Sequence, residues 1–244
     1  MPARAFATAL TFLLLGACAA RPAAPGAPSF AASALREQDA PVAAADLVAP
    51  AGAVRRLAVV RGDAAGREVV ERFIAADGGL VREESRDGKV VARMHLVAQP
   101  GGAFALREVE SLANGSRSVF ADPLPFAADI AAGSVLEGRS AMAVRTIPGD
   151  RPRASGTGVR SLRVLGRCEI DRCGERLQAT VVELRFTADL DMARADVVSR
   201  LYVVAGRGVV AEERSEKRVI LGILPSSTDE TAVLLDATAA EPAP

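Results

Sequence analysis

Apolar and polar residues alternate along much of the chain between residues 54 and 236. In the stretch TVVELRF, Val182, Leu184 and Phe186 fall on one side of an extended strand, and the charged residues between them fall on the other. A period of two predicts strands with one dry and one wet face, which is typical of antiparallel sheets. We therefore predict a mainly β domain, built as a twisted antiparallel sheet or half-barrel.

Short separators that contain glycine divide the apolar runs. DGG, DGK, PGG and NGS each supply a glycine that can adopt a positive φ. Runs of this length with such breaks predict hairpins joined in a meander. The proline- and glycine-rich stretch at residues 147–158 is interpreted as a long loop between two halves of the domain.

Each half contains one copy of an internal echo, which we define as residues 73–91 and 202–220. The two stretches align without a gap at an offset of 129 positions, with Phe73 on Tyr202 and Gly79 on Gly208. The copies share an aromatic strand, a turn glycine and an apolar pair, which are features that a hairpin needs and a reaction does not. We predict two similar hairpins, with both glycines at or beside turns.

A pair of glutamates also recurs in the echo, as Glu83-Glu84 and Glu212-Glu213. Neighbouring residues of a strand face opposite sides, so one glutamate of each pair points inward unless a bulge or a sheet edge intervenes. Because an inward charge is costly unless it is paired, we predict that both pairs lie on a solvated rim beside nearby arginines.

The first residues resemble a bacterial lipoprotein signal. Arg4 precedes an apolar run at 5–17 that is too short to span a bilayer, and the run ends in LGAC at 15–18. This motif resembles the lipobox, which implies cleavage before Cys18 and lipidation of that cysteine. The alternative is an ordinary signal peptide with an incidental cysteine. Several acyl chains on one residue anchor a protein stably to a membrane.

The resemblance also implies a location in the bacterial cell envelope. Ala19 stands where an aspartate often retains such proteins in an inner membrane, so we expect an outer membrane and a domain that faces the periplasm. Four segments are predicted: a signal peptide at 1–17, a lipidated Cys18 with an Ala/Pro-rich tether at 18–53, the β domain at 54–236, and a disordered tail at 237–244.

Composition removes several classes of function. Lysine plus arginine equals aspartate plus glutamate at 30 each, so no net charge attracts nucleic acid. Tryptophan is absent, and tyrosine and histidine occur once each, which leaves few groups for catalysis or for stacking on a ligand. No G-x-S-x-G nucleophile motif or phosphate loop is present, and we expect no enzyme activity and no cofactor.

The second copy of the echo carries a further resemblance. LYVVAGRGVVAEE at 201–213 is similar to the W-Y-x-x-G-x-G-x-V-K/R-x-E hairpin of uncharacterised bacterial periplasmic proteins and lipoproteins. Tyr202, Gly206, Gly208 and Val210 match, whereas a leucine replaces the tryptophan and an alanine replaces the basic residue. The resemblance spans about residues 65–235 and implies a half-barrel like that of lipoprotein carriers. It supplies no catalytic residue.

Two further groups of residues are candidates for local chemistry. Cys168 and Cys173 flank EIDR, and an oxidising compartment favours a disulfide between them. Their spacing is not C-x-x-C, and His95 alone is too few ligands to complete a zinc site with them. We therefore expect no metal.

A weak calcium candidate lies in DLDMARAD, where Asp189, Asp191 and Asp196 are close together in the sequence. The EF-hand pattern is not met, since the sixth position has no glycine and the twelfth has no glutamate. A polar loop explains these residues equally well.

The leading hypothesis is a membrane-anchored envelope lipoprotein whose domain is a non-catalytic binding or scaffold module. The alternative is a carrier that holds an acyl chain or another apolar ligand in the half-barrel, and a hydrolase is a distant third. A carrier needs an open apolar cavity, whereas a scaffold fills that space with side chains.

Overall fold

The computed structural model describes residues 28–36, 40–220 and 224–238, and these residues form one antiparallel sheet with a single short α-helix, α1 (Ala44–Leu47). None of the helices in this part of the chain has the length and apolarity that a membrane span requires. The strands are β1 (Phe30–Ala32), β2 (Val54–Arg61), β3 (Glu68–Ala76), β4 (Gly79–Arg86), β5 (Lys89–Ala98), β6 (Phe104–Ser111), β7 (Ser116–Ala127), β8 (Val135–Thr146), β9 (Pro152–Arg172), β10 (Glu175–Leu190), β11 (Ala193–Val204), β12 (Gly208–Ile220) and β13 (Leu224–Thr238).

The sheet closes into a barrel of twelve antiparallel strands. Strands β2 to β8 follow one another in the order of the sequence, as do β9 to β13, and the β13–β2 and β8–β9 pairings join the two runs into a ring. The mainly β antiparallel prediction is confirmed, but the ring is complete where a half-barrel was expected. Closure leaves no open edge between β8 and β9.

Strand β9 is long enough to pair with two strands, β8 and β1, along the same edge. Its first part, up to Arg163, pairs with β8, and its last part, from Ile170 to Arg172, pairs with β1. A bulge beside Gly166 shifts the register against β10 and exchanges the inner and outer faces of β9. As a result Leu162 packs inside the barrel, whereas Cys168 packs on its outer wall.

Much of the predicted tether is part of the folded domain. Val42 forms a β-bridge with Ile130, and Leu47 and Val48 are buried in the main core. Helix α1 contacts β7 on one side of the ring and β11 and β12 on the other, so it lies across the barrel lumen. The predicted boundary at residue 54 is therefore wrong by about a dozen residues, because a few apolar side chains in an Ala-rich segment are enough to cover an open mouth.

The predicted turns are present, but the long loop is much shorter than expected. Gly78, Gly88 and Gly115 have positive φ between consecutive strands, as the separators predicted. The β8–β9 connection occupies only residues 147–151, and the rest of the expected loop belongs to β9. Gly156 of this part of β9 is required by packing, since its Cβ would overlap the Asp189 carbonyl oxygen.

Apolar side chains fill one zone of the barrel interior. Phe73, Phe120 and Leu162 belong to one buried cluster, and segment 40–53 contributes further members from the covered mouth. The rings of Phe120 and Phe186 contact edge to face at 6.0 Å between centroids. Burial of this face is the main term that stabilises the barrel.

Charged side chains fill a second interior zone. Glu71 on β3 is buried, accepts a hydrogen bond from Arg82 on β4, and lies 3.5 Å from the Nη1 atom of Arg55 on β2. Arg86 donates to both carboxylate oxygens of Glu230 at 2.8 and 2.9 Å. Only about 30 Å³ of space remains between these groups, which is enough for about one water molecule.

The echo is architecture, and its two copies differ in which side faces inward. Gly79 and Gly208 each begin a strand beside a turn, as predicted. Phe73 packs in the barrel interior, whereas its counterpart Tyr202 packs outside against Phe30. The inner and outer faces are therefore exchanged between the two hairpins.

The glutamate pairs do not lie on a solvated rim. In the first copy, Glu84 faces inward with Arg86, and Glu83 faces outward with Arg93. In the second copy the order is reversed, so that Glu212 faces inward. The alternation of strand side chains sends one member of each pair into the barrel, where arginines compensate its charge.

Candidate functional site

A groove of about 370 Å³ lies on the outside of the barrel, beneath the N-terminal segment (residues 28–36). The segment forms one wall, and the outward faces of β9 to β12 form the floor. Its volume is within the range of about 300–1,000 Å³ that is usual for small-molecule sites. The lining residues are Phe30, Ala31, Ala32, Ser33, Leu35, Arg61, Cys168, Val181, Arg200, Tyr202 and Glu213.

Backbone hydrogen bonds hold the N-terminal segment along the free part of β9. Ser33 N donates to the Glu169 carbonyl at 2.8 Å, and the Arg36 and Arg167 backbones exchange two bonds at 2.8 and 3.1 Å. The hydroxyl of Ser33 also accepts a bond from Glu169 N at 3.0 Å. Strand addition of this kind places Phe30 over Tyr202, with 4.8 Å between the ring centroids.

Polar side chains form a connected row along one side of the groove. The Tyr202 hydroxyl donates to Glu213 Oε2 at 2.8 Å, and Arg61 donates to Glu213 Oε1 at 2.6 Å. Arg61 also donates to the Thr231 hydroxyl at 3.0 Å. This row fixes the tyrosine ring and leaves the opposite, apolar side of the groove to Cys168, Val181 and Phe30.

The electrostatics of the groove keep its tyrosine and its thiol protonated. Burial, the hydrogen bond to Glu213 and the charge of that carboxylate raise the pKa of Tyr202 well above its usual value. Burial and the same carboxylate raise the pKa of the Cys168 thiol. Both groups stay protonated at neutral pH, and a protonated thiol is a poor nucleophile.

Arg200 is the cation that remains open at the rim. It lies on β11 between Glu183 and Glu213 of the neighbouring strands, yet within the described ranges it forms no ion pair at 4.0 Å or less. Glu183 forms its ion pair with Arg163, and Glu213 forms its ion pair with Arg61. The groove therefore combines a mainly polar lining with the exposed apolar side chain of Leu35 and an unpaired guanidinium, which suits a small amphipathic anion.

The predicted disulfide is absent from this structure. Cys168 is a buried residue of β9, and Cys173 is exposed in the β9–β10 turn, and both are free. Five residues of extended strand span about 16 Å, whereas a disulfide needs Cα atoms within about 7 Å. The prediction was wrong because the hairpin turns at Cys173-Gly174 itself, with both residues at positive φ, and not between the two cysteines.

The structure also separates the calcium candidates. Arg194 donates to Asp189, Arg185 donates to Asp196, and Ser155 donates to Asp191. Each carboxylate thus has its own partner, and the three do not converge on one point. Cys18, the predicted lipidation site, lies outside the described residues.

Sequence reasoning missed the groove because its wall comes from a segment that reads as a linker. The available signal was Phe30, the only aromatic residue in the Ala/Pro-rich stretch at 18–53. A bulky apolar residue in such a stretch indicates a contact that a free linker does not need.

Comparisons with protein-family models, with curated proteins and with solved structures find no match to this chain. The function is therefore inferred from the residues and their geometry.

Proposed function

We propose that this protein is a lipid-anchored bacterial envelope protein whose barrel is a non-catalytic binding module. LGAC supports the anchor, because it places an acylatable Cys18 ten residues before the N-terminal segment begins. The observation that carries the binding role is the groove, which places the unpaired guanidinium of Arg200 near the apolar side chains of Phe30 and Leu35. The N-terminal segment that forms one wall of the groove also connects the barrel to the membrane anchor.

The full interior supports a module that binds at its surface. The barrel is occupied by the apolar cluster around Phe73 and by the ion pairs around Glu71. A carrier that buries a long acyl chain in its lumen needs that space open. We therefore place the binding role on the outer wall, beneath residues 28–36.

A carrier of a small apolar anion is the second candidate function, and the same groove favours it. The 370 Å³ groove suits a short amphipathic molecule, with its anionic end at Arg200 and its apolar part against Leu35 and Phe30. The two candidates differ in whether a small ligand accompanies the purified protein.

Replacing Cys18 with serine tests the anchor. We expect the wild-type chain in the membrane fraction of a bacterial host, with a mass increase that matches diacylglycerol and acyl chains. The Cys18→Ser variant should keep its signal peptide and carry no lipid, because serine offers no thiol for acylation. Unmodified wild-type protein that fractionates freely with soluble proteins would contradict the proposal.

Native mass spectrometry of the detergent-extracted protein tests the binding site. For the carrier, we expect a bound small molecule on the wild type and its loss from Arg200→Glu, which reverses an exposed charge of the groove and leaves the buried core unchanged. The matched control is Arg194→Glu, an exposed charge change at the far end of β11. A ligand-free wild type favours the module that binds a macromolecule, and a ligand retained by Arg200→Glu removes the groove as the site.

A further inference from the structure

The outer wall of the barrel carries a second cluster of chemical groups, remote in the sequence from the groove. His95 on β5 lies directly across from Glu108 on β6, and Glu110 follows two residues later on the same face. One donor atom from each side chain lies within 4.8 Å of the other two. The separation between His95 Nε2 and Glu110 Oε2 is 3.9 Å.

We propose that His95, Glu108 and Glu110 bind a divalent transition metal of the Zn²⁺ class. Imidazole nitrogen and carboxylate oxygen are zinc ligands at about 2.0–2.2 Å, and tetrahedral geometry then separates them by about 3.3 Å. Small side-chain rotations bring the three donors to that spacing. Three protein ligands leave a fourth position for water, because the site is partly open to solvent.

The hydrogen bonding around the cluster supports this assignment. His95 Nε2 is shielded from solvent and has no hydrogen-bond partner among the described residues. Within the same part of the chain, neither Glu108 nor Glu110 accepts a hydrogen bond through its side chain. A buried polar atom without a partner costs free energy, and a metal ion would satisfy all three groups at once.

Two arginines beside the cluster are bound more closely elsewhere. Arg93 lies 3.6 Å from Glu110 but donates to Glu83 at 3.0 Å. Arg117 lies 3.7 Å from Glu108 but donates to Asp150. Both arginines therefore have other carboxylates to hold them when a metal takes Glu108 and Glu110. They also keep the surroundings near neutral, so that the cluster does not attract calcium by excess negative charge alone.

The residues next to His95 in the sequence do not predict a metal site. The carboxylate ligands come from the next strand, 13 and 15 positions later in the chain, and their distance from His95 depends on the β5–β6 register. A bulge between His95 and Leu96 is part of that register.

Zinc titration of the untagged full-length chain tests the proposal. His95 is the only histidine, so its imidazole carbon-bound protons give a single assignable set of NMR signals. All titrations use a Cys18→Ser, Cys173→Ser background, because a free thiol competes for zinc: Cys173 is exposed, and Cys18 is the residue that the anchor proposal assigns to lipid. We expect one Zn²⁺ per chain by calorimetry, together with a shift of the His95 signals that saturates at the same ratio.

His95→Gln and Glu110→Gln should each weaken zinc binding at least tenfold while the circular dichroism and melting temperature stay close to those of the parent. Asp189→Asn, which changes a carboxylate already paired with Arg194, is the matched control and should bind zinc like the parent. Co²⁺ should give visible absorption bands of four- or five-coordinate intensity that the His95→Gln variant lacks. A parent chain that binds no zinc, or a His95→Gln variant with unchanged affinity, overturns the proposal.

Discussion

Replacing Glu71 with glutamine is expected to lower the free energy of unfolding by about 3–5 kcal/mol, a loss that is typical when one partner of a buried ion pair is removed. Glu71 is buried between Arg55 and Arg82, and it is the carboxylate that lies closest to both. The amide keeps the shape of the side chain but leaves two desolvated guanidinium groups without their nearest countercharge. Urea unfolding at pH 7 measures the difference.

Glu68→Gln is the matched control for this prediction. Glu68 lies on the same strand and accepts two hydrogen bonds from Arg56, at 2.9 and 2.7 Å, but this pair is exposed to solvent. Its loss should change the unfolding midpoint little, because water screens such pairs. If the two substitutions lower the free energy of unfolding equally, burial does not strengthen the ion pairs of Glu71.

The contribution of Glu71 should also depend on pH. Burial alone would raise the pKa of this carboxyl, but the charges of Arg82 and Arg55 and the hydrogen bond from Arg82 outweigh it and hold the pKa below its ordinary value. A carboxyl with a lowered folded-state pKa stabilises the fold above its unfolded pKa of about 4.3. That stabilisation is lost as the pH falls through the folded pKa. The difference between wild type and Glu71→Gln should therefore shrink below about pH 4.

Replacing Gly79 with alanine should be the most damaging single methyl addition in the first copy of the echo. The φ of Gly79 is one that alanine can adopt, but its Cβ would overlap the carbonyl oxygen of Leu96 on β5. Backbone atoms of a paired strand cannot move aside as a flexible side chain can. We expect a loss of about 3 kcal/mol, at the upper end of overpacking costs, measured by thermal unfolding of the full chain.

Gly78→Ala is the control, because Gly78 is restricted by its backbone conformation, whereas Gly79 is restricted by a close neighbouring strand. Gly78 has φ of 69°, and an added Cβ would meet nothing within 4 Å. Its cost should be only the left-handed backbone penalty of about 1–2 kcal/mol. If Gly78→Ala proves worse than Gly79→Ala, backbone conformation rather than close packing governs this hairpin.

The two copies of the echo contain a glycine at the same position but require it for different physical reasons. Gly208, the counterpart of Gly79, has φ of 77°, and an added Cβ would stand 3.3 Å from the Asp46 carbonyl oxygen. Copy one thus needs glycine for the approach of a neighbouring strand, whereas copy two needs it chiefly for a left-handed turn. The residues that the two copies share predicted a hairpin in both places. The surrounding atoms, which differ, determine why glycine is required at each position.

The same distinction separates the successful predictions from the failed ones. Strands and turn glycines were predicted because they depend on residues a few positions apart. The disulfide prediction was wrong because it placed the hairpin turn between the two cysteines. Cys173-Gly174 is itself the turn, and Cys168 lies well inside β9. The predicted tether boundary was wrong because Val42 and Leu47 are buried only against the mouth of the closed barrel, which no local sequence pattern describes.

The sequence by itself determined the antiparallel β class, most hairpins and the alternation of faces, because backbone geometry enforces a period of two within each strand. Only the tertiary structure decided which face points inward. The bulge at Val210, where β12 carries one residue more than β11, sends Glu212 into the barrel, and Tyr202 packs on the outer wall. The groove beneath residues 28–36 and the His95 cluster likewise depend on strand register, which a pattern within one strand does not specify.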